Sequence, residues 1–450
     1  MRLPPAIQSA ASQLRPRRGA ERADAVAVPA VGGSRRAKLA GAASRAPRGP
    51  RIQRRSAGRA GVTGLDIQPG HVAAAEVAVN GSIALRHGAS LEIAADIVRE
   101  GEVQDAEALT VALKKLFADG RLTKRVRLGV ANQRIVVRTM ELPVMADAKD
   151  LAAAVHFQAA DALPMPLDGS VLDFHALDVI DTPNGQRQLV ALVAARRDMV
   201  SSFLGCVRAA GLQPVGVDLS AFAMIRALHR PSTDAITGRT LYIHVDGVTN
   251  LALAHGAICS FTRLLGGGLP AMSADLAERA GIDLVRATQH VLAVRLDEEG
   301  PTHSGDLPRG AGDASADPTA EPHMATTAGM DSEPEQRSER GLPVTTEVAQ
   351  ADPLTELAAT VVLEHVRRTA AAVRNSLDFH HGQQNELPVQ SARLVGAAAA
   401  LPGFAAALSA QLGLPVEPAA VAEAQPGAGG SVSAFRLTVA AGLGAVEVPQ

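Results

Sequence analysis

Two stretches of the sequence combine an acidic residue with a tight turn between short apolar runs. In Gly61–Val77, GVTGLDIQPGHVAAAEV, the acidic residue is Asp66; in Thr240–Leu253, TLYIHVDGVTNLAL, it is Asp246. Such a hairpin can direct backbone N–H groups and one carboxylate at a phosphate or its metal ion. The wide separation of the two stretches on a chain of 450 residues predicts two related halves that face one cleft.

The residues around these acidic groups predict the strands that position them. Short apolar runs broken by Gln68-Pro69-Gly70 and by Asp246-Gly247 are typical of two-stranded hairpins. The predicted strands are Val62–Ile67 with His71–Val77, and Tyr242–Val245 with Val248–Leu253.

A third acidic residue, Asp218, falls at the carboxyl end of a predicted strand. Val215–Asp218 has the pattern of a strand, and Ser220–Leu228 has the pattern of the helix after it. Ligands of open α/β sheets bind at this edge, so Asp218 is a candidate site residue. The run Gly266–Gly268, before the predicted helix Met272–Ala280, permits either a close backbone approach to a ligand or a tight turn.

The remaining periodic segments alternate between helices and strands and indicate an α/β protein. Asp105 is placed to cap a helix, and Asn184-Gly185 is a strong hairpin signal. Leu91–Gly101 is predicted as an irregular connection. The other predicted helices are Asp105–Phe117, Ala146–Leu163, Asp198–Ala210, Leu354–Phe379, Pro402–Leu412 and Phe435–Leu443; the other predicted strands are Arg125–Ala131, Ile135–Leu142, Val171–Ile180, Gln186–Ala195 and Ala392–Gly396.

The composition excludes several classes of protein. Aromatic residues make up 2% of the chain, which argues against a base-stacking surface for nucleic acid. Cys206 and Cys259 are too few for a zinc site or a disulfide framework and favour a reducing compartment. His380-His381 lacks a third ligand at metal spacing and is predicted as a helix end. No apolar run is long enough for a membrane span, so we expect any membrane role to act through a partner or a surface contact.

Two segments of unequal charge are predicted to be disordered. Residues 1–60 are rich in arginine and lack periodicity, which is typical of a basic arm for anionic lipid headgroups or nucleic acid. A start codon assigned too far upstream, a variable tail and a transit peptide are the alternatives for this segment. Residues 297–352 are acidic and rich in Pro, Gly, Ser and Thr, and are predicted as an insertion within a domain.

Seven stretches, in their order and spacing, carry a resemblance to a known family. They are GLDIQPGHVAAAEV (Gly64–Val77), IVVRTMELP (Ile135–Pro143), LVALVAARRDMV (Leu189–Val200), AGLQPVGVDLSAFAMIRAL (Ala210–Leu228), FTRLLGGG (Phe261–Gly268), LVGAAAALPGFAAALSAQLGLPV (Leu394–Val416) and AAGLG (Ala440–Gly444). Together they resemble the PilM family of type IV pilus assembly proteins, which is itself similar to FtsA.

This resemblance implies an α/β, actin-like fold with two lobes around a nucleotide cleft. The first lobe would span residues 61–235, with a small extra subdomain at about 133–211, and the second lobe residues 236–446, including the insertion. ATP and Mg²⁺ are the implied cofactors. The implied partners are the cytoplasmic tail of a PilN-type inner-membrane protein and other pilus assembly proteins. The expected location is the cytoplasm, at the inner face of the inner membrane.

The implied nucleotide residues are Asp66, Asp218, Asp246, Thr249 and Gly396. Compared with the family pattern, Gln68 replaces a glycine and Ala73 a lysine at the first hairpin. At the second hairpin His244 stands where the metal-facing carboxylate is expected, and Asp246 lies two residues further on. Gly396-Ala397 replaces a Gly-Gly pair. Because a bulky Gln68 crowds phosphate and the lysine charge is lost, these departures predict a cleft that binds ATP weakly or not at all.

Three functional hypotheses follow. The first is a non-catalytic scaffold of type IV pilus assembly, which holds a partner's tail in the first lobe. The second is an active ATPase of the same fold, in which Asp218 positions the attacking water and Asp66 or Asp246 holds Mg²⁺. The third is the cytoplasmic part of a type II secretion platform protein, a class that normally continues into a membrane span.

Overall fold

The computed structural model describes residues 61–80, 82–183, 185–230, 238–297, 352–381, 388–425, 427–430 and 432–445. The predicted basic arm, almost all of the predicted acidic insertion and Asn184 lie outside the described residues. No helix in the described ranges is long and apolar enough to cross a membrane.

The described residues form sixteen strands and nine α-helices, which alternate along the chain as predicted. The strands are β1 (Thr63–Gln68), β2 (His71–Val79), β3 (Ile83–Glu92), β4 (Val98–Arg99), β5 (Glu102–Val103), β6 (Arg125–Val130), β7 (Val136–Pro143), β8 (Ser170–Thr182), β9 (Gly185–Arg196), β10 (Gln213–Leu219), β11 (Arg239–Val245), β12 (Thr249–His255), β13 (Ile258–Leu265), β14 (Val389–Val395), β15 (Val416–Pro418) and β16 (Ala422–Glu423). The helices are α1 (Ala106–Leu116), α2 (Ala148–Ala162), α3 (Arg197–Ala209), α4 (Ser220–Leu228), α5 (Leu269–Ala280), α6 (Leu284–Ala293), α7 (Pro353–His381), α8 (Phe404–Leu412) and α9 (Ala434–Gly444).

Two large sheets divide the described chain. The first has the strand order β10-β6-β1-β2-β3-β16, and the second has the order β13-β12-β11-β14-β15. We call the parts built on them the first lobe and the second lobe. Since β1, β6 and β10 are parallel, their carboxyl ends share one edge of the first sheet. Asp66 and Asp218 therefore come to the same edge from strands that are far apart in sequence.

Each lobe has its own apolar core. In the first lobe α1 and α3 pack on the sheet through Leu109, Leu113, Phe203 and Leu204. In the second lobe α5, α6, α7 and α8 cover one face of the sheet. A separate sheet of order β7-β9-β8 packs on α2 through its own apolar cluster, within the range predicted for the extra subdomain. Helices α4 and α9 contact each other between the lobes.

The predicted elements are present, with ends shifted by a few residues, but several elements were not predicted, namely β3, β4, β5, β13, β15, β16 and α6. Strand β3 includes the first two residues of the predicted irregular connection, Leu91 and Glu92. It is a strand because it pairs with β2 along its whole length. Its mixed sequence, IALRHGASLE, does not indicate that pairing. Helix α6 was missed because Leu284, Val285 and Leu292 are exposed and only Ala287 and Val291 of that helix are buried. The helix predicted to begin at Pro402 begins at Phe404.

Helix α9 lies directly on the backbone of β1 at Gly64. A Cβ atom at Gly64 would lie 1.9 Å from the carbonyl oxygen of Ala440 in α9, which is far inside van der Waals contact. The helix could give way only by moving its own backbone, and the sequence therefore requires glycine at this position.

We predict that Gly64→Ala lowers the free energy of unfolding by about 3 kcal/mol, because overpacking a rigid backbone contact is costly. Gly205→Ala is the matched control, since Gly205 lies in α3 and a Cβ atom there would contact nothing within 4 Å. Denaturant unfolding of both variants measures the difference. Equal stability of the two variants would contradict the close approach.

Candidate functional site

The turns of the two predicted hairpins meet between the lobes, with Gln68 at the contact. Its amide Nε2 donates to Asp66 Oδ2 at 2.8 Å and lies 3.4 Å from His244 Nδ1. Its Oε1 accepts from the backbone N–H of Val248 at 3.4 Å. Gln68 thus connects the first hairpin to the second.

The two turns leave almost no space between them. A Cβ atom at Gly247 would lie 2.3 Å from the carbonyl oxygen of Pro69. The gap bordered by Asp66, Gln68, His244 and Asn250 has a volume of about 10 Å³. A single water molecule needs about this much, so a phosphate group does not fit between the turns in this arrangement.

Asp246 is buried and surrounded by hydrogen-bond donors of the protein itself. Its Oδ2 accepts from the backbone N–H of Ala397 at 2.9 Å and from Arg436 Nε at 3.3 Å. Its Oδ1 lies 3.4 Å from both Arg436 Nη2 and His71 Nδ1. Burial by itself raises the pKa of Asp246, but His71 and Arg436 together lower that pKa below its ordinary value. The carboxylate is therefore ionised, and its charge is balanced inside the protein.

Asp66 has the opposite electrostatic environment. Burial is the main cause that raises the pKa of its carboxyl from 3.8 to about 7, and the hydrogen bond from Gln68 opposes that shift only in part. Asp246 on the facing hairpin raises it further by repulsion. A carboxyl that carries a proton for much of the time near neutral pH is a poor ligand for Mg²⁺, which prefers ionised oxygen donors.

The two histidines of this region are neutral near pH 7. Burial lowers the pKa of His244 to about 4. Burial also lowers the pKa of His71, against the attraction of Asp246. Because the amide of Gln68 is a donor, the nearby Nδ1 of neutral His244 is suited to accept from it. The His71 Nε2 atom is buried and has no hydrogen-bond partner among the described residues.

Asp218 lies at the predicted edge of the first sheet, but its carboxylate contacts a buried arginine. Its Oδ2 accepts from Arg226 Nη2 at 2.8 Å, and both side chains are almost completely buried. Its Oδ1 accepts from the backbone N–H of Leu219 at 2.8 Å. Arg226 Nη1 in turn donates to the carbonyl oxygen of Gly442 in α9. The contacts that Asp218 makes here are structural.

Thr249 and Gly396 lie on either side of Asp246. The Thr249 hydroxyl is buried and has no hydrogen-bond partner in the described part of the chain. Gly396 has φ of 88°, which favours glycine, and a Cβ atom there would lie 2.5 Å from the carbonyl oxygen of Val245. The structure therefore brings Asp246, Thr249 and Gly396 together with Asp66, and it places Asp218 in a separate contact with Arg226 of α4.

Two residues that define this region were not predicted from the sequence. Arg436 contacts Asp246 and also pairs with Glu92, and Arg226 neutralises Asp218. Both arginines lie on helices whose sequences indicate only packing, so their partners could be found only from the fold. The described residues contain no group of three or more His, Cys, Asp or Glu side chains that could hold a metal ion.

Comparisons with known proteins confirm the predicted resemblance. A family model described as type IV pilus assembly protein PilM matches residues 64–239. No curated protein sequence matches the chain.

Several solved structures are similar to the chain. One is described as the PilM-PilN type IV pilus biogenesis complex, with 23% sequence identity, coverage of 86% of this chain and 98% of that chain, and a TM-score of 0.62. The ethanolamine utilization protein EutJ from Carboxydothermus hydrogenoformans has 14% identity, coverage of 85% and 88%, and a TM-score of 0.44. MreB 5 of Spiroplasma citri bound to AMPPNP has 11% identity, coverage of 85% and 94%, and a TM-score of 0.43. The similarity to the first of these structures confirms the two-lobed α/β fold predicted from the sequence.

We predict that Asp66→Asn makes the free energy of unfolding less dependent on pH between about 4 and 7. In the wild type the unfolded chain releases the Asp66 proton near pH 3.8, whereas the folded chain keeps it to about pH 7. Stability is therefore lost as the pH rises through this window, by up to about 1.4 kcal/mol per pH unit. The variant removes this loss, and urea unfolding at several pH values measures it.

The control for this measurement is Asp161→Asn, since Asp161 is an exposed residue of α2. The free energy of unfolding of Asp161→Asn should depend on pH in the same way as that of the wild type. If the free energy of unfolding of Asp66→Asn depended on pH in the same way as that of the wild type, Asp66 would be ionised in the folded protein.

Proposed function

We propose that this chain, which the PilM family model matches over residues 64–239, is a scaffold protein of type IV pilus assembly. In this proposal it works in the cytoplasm at the inner face of the inner membrane and holds the cytoplasmic tail of a PilN-type protein. The family match carries the proposal. The matched residues include all of β7, β8, β9 and α2, and so include the small sheet beside the first lobe.

A crevice between the small sheet and the core of the first lobe supports the location of the tail. Its walls are Val171 and Val193 on one side and Val200 and Val217 on the other. Asp173 is the one charged residue among those that line it, and burial is the main cause that raises the pKa of this carboxyl. The volume of the crevice is about 10 Å³, so an extended peptide would lie along its rim and would not enter it. A basic side chain of that peptide would ionise and neutralise Asp173.

We further propose that the nucleotide cleft is degenerate. Arg436 already neutralises Asp246, Arg226 neutralises Asp218, and burial favours protonated Asp66. The two turns are in direct contact where a phosphate would have to enter. To bind ATP with Mg²⁺ the protein would have to separate these turns and release Asp246 from Arg436. Breaking a buried ion pair costs several kcal/mol.

The facing hairpins with two buried carboxylates favour one alternative, an active ATPase of the same fold. In that alternative the lobes open, and Asp66 or Asp246 holds Mg²⁺. Calorimetry distinguishes the two hypotheses.

We predict that the purified protein shows no ATP binding by calorimetry at millimolar nucleotide with Mg²⁺, because the charges that would hold the ligand are neutralised within the chain. Asp66→Ala is measured beside it. Micromolar binding by the wild type that is lost in Asp66→Ala would contradict the degenerate cleft and support the ATPase.

We predict that Asp173→Lys weakens binding of a PilN-type tail peptide about tenfold or more, or about 1.4 kcal/mol, since it places a cation in the crevice. Asp178→Lys is the matched control, because Asp178 lies on the same strand and is exposed. Fluorescence anisotropy of the labelled peptide with the full-length protein measures both affinities. Equal binding by the two variants would contradict this docking site.

A further inference from the structure

The amino-terminal edge of the first sheet collects the ends of two helices. Helix α1 leads through residues 117–124 into β6, and α3 leads through residues 210–212 into β10. Because β6 and β10 are parallel neighbours, the carboxyl ends of both helices come to the same edge of the sheet. The two connections are in contact there, since the carbonyl oxygen of Lys124 accepts from the backbone N–H of Gln213 at 2.7 Å. Residues that are far apart in sequence thus form one surface.

Basic residues concentrate at this edge. Two lysines lie in the last turn of α1, and an arginine lies in the last turn of α3. Two more cations lie in the connection from α1 to β6, where Arg121 lines a space of about 210 Å³ beside Arg86 of β3. All of these residues are exposed. We call this surface the basic edge, and it consists of Arg86, Lys114, Lys115, Arg121, Lys124 and Arg208.

Few carboxylates offset the charge of the basic edge. Asp119 lines the space beside Arg86, and its Oδ2 atom lies 3.6 Å from Arg121 Nε. Glu76 lies nearby and accepts from the backbone N–H of Thr123. Among the described residues, the other members of the basic edge form no ion pair. The cations outnumber these two carboxylates, so the surface is positively charged.

The helix ends explain only part of this arrangement. Cations in the last turn of a helix interact favourably with its free carbonyl groups, which accounts for the three on α1 and α3. Arg86 lies on a strand, and Arg121 and Lys124 lie in a connection, so the helix carbonyls give no reason for them. Their concentration beside the helix cations favours a role in binding an anionic partner.

The chain enters the fold at the same edge. The Thr123 hydroxyl donates to the carbonyl oxygen of Gly61 at 3.2 Å, so Gly61 lies beside the connection that carries Arg121 and Lys124. Residues 1–60, which are rich in arginine, therefore join the fold next to the basic edge. An anionic surface that attracts those arginines is thereby brought close to the basic edge as well.

An apolar side chain distinguishes between two kinds of anionic partner. Val111 is 59% exposed and lies on the outer side of α1, one turn before Lys114 and Lys115, whereas the neighbouring Phe117 is buried. An exposed apolar group beside lysines suits the headgroup region of a bilayer, whereas single-stranded nucleic acid is bound by exposed aromatic rings. Duplex nucleic acid is read by a helix or a strand pair laid in its groove, and α1 and α3 only end at this edge. These features favour a lipid surface.

We propose that the basic edge binds the anionic headgroups of a lipid bilayer directly. Its Lys and Arg side chains lie against the headgroup phosphates, and each cation near such a surface strengthens the attraction. The surface is distinct from the crevice beside the small sheet, because Val200 of the crevice lies in the first turn of α3 and Arg208 lies in its last turn. The inference therefore does not rest on the binding of a partner's tail or on the state of the hairpins.

Flotation of the full-length protein with lipid vesicles tests this proposal. The vesicles consist of phosphatidylcholine with or without phosphatidylglycerol, and the partition coefficient of the protein is measured against increasing NaCl. We expect binding only to the vesicles that contain phosphatidylglycerol, and we expect that binding to weaken as salt screens the charges. A wild-type protein that does not bind these vesicles at low salt would overturn the proposal.

Two variants of equal net charge separate the basic edge from residues 1–60, which both variants keep. The edge variant combines Lys124→Gln with Arg208→Gln and should lower the partition coefficient about tenfold or more, because each cation near an anionic surface contributes about fivefold. The control variant combines Lys149→Gln on α2 with Arg286→Gln on α6, both at exposed positions, and should bind as the wild type does. Circular dichroism verifies that both variants are folded.

The comparison of these variants decides the proposal. Equal partition coefficients would overturn it, since binding would then follow from net charge or from residues 1–60 and not from the basic edge. Duplex DNA is the second probe, and its binding is measured by fluorescence anisotropy at the same salt concentration. If the edge variant lost affinity for DNA and bound vesicles as the wild type does, the partner would be a nucleic acid and the proposal would be wrong.

Discussion

Helix α9 has to lie directly on strand β1, and this close contact of two backbones determines how the lobes meet. At Gly64 no side chain separates the helix from the strand. The carbonyl groups at the end of α9 need donors, and Arg127 donates to Leu443 and Ala445 while Arg226 donates to Gly442. A buried arginine is tolerated only with a compensating partner, which for Arg226 is Asp218. The packing of one helix thus explains the contacts of a carboxylate that otherwise has the position of a ligand-binding residue.

The other end of α9 affects the facing hairpins in the same way. Arg436 reaches Asp246 and keeps that carboxylate ionised. Asp66, only a short distance away, receives an amide hydrogen bond but no arginine, so burial determines its protonation. Two acidic residues that look equivalent in the sequence therefore differ in charge near neutral pH. The difference arises because one helix brings a cation to one side of the contact between the turns and not to the other.

Two spaces in the molecule differ in the parts of the fold that surround them. The crevice around Asp173 lies within the first lobe, between the small sheet and the core, and does not require the lobes to move. A cavity of about 320 Å³ lies between the lobes and is bounded by both. The hairpins form a closed polar contact, in which Gln68 takes up hydrogen bonds that a ligand would otherwise make. The lobes thus hold each other through their own side chains, which suits the scaffold role that we propose.

The sequence by itself determined the alternation of helices and strands, the two hairpins with Asp66 and Asp246, and the resemblance to a family. Those features depend on local spacing: apolar periodicity, the turn at Pro69-Gly70 and the Asp105 cap that accepts from Ala108. The tertiary structure alone decided what each carboxylate contacts, because Arg436 reaches Asp246 from α9 at the far end of the chain, and Arg226 of α4 is held between Asp218 and the carbonyl oxygen of Gly442 in α9. It also decided that β3 is a strand, since that segment is held by pairing with β2 and not by its own pattern. Long-range packing and burial set these charges and pairings, and neither can be read from the order of residues along one segment.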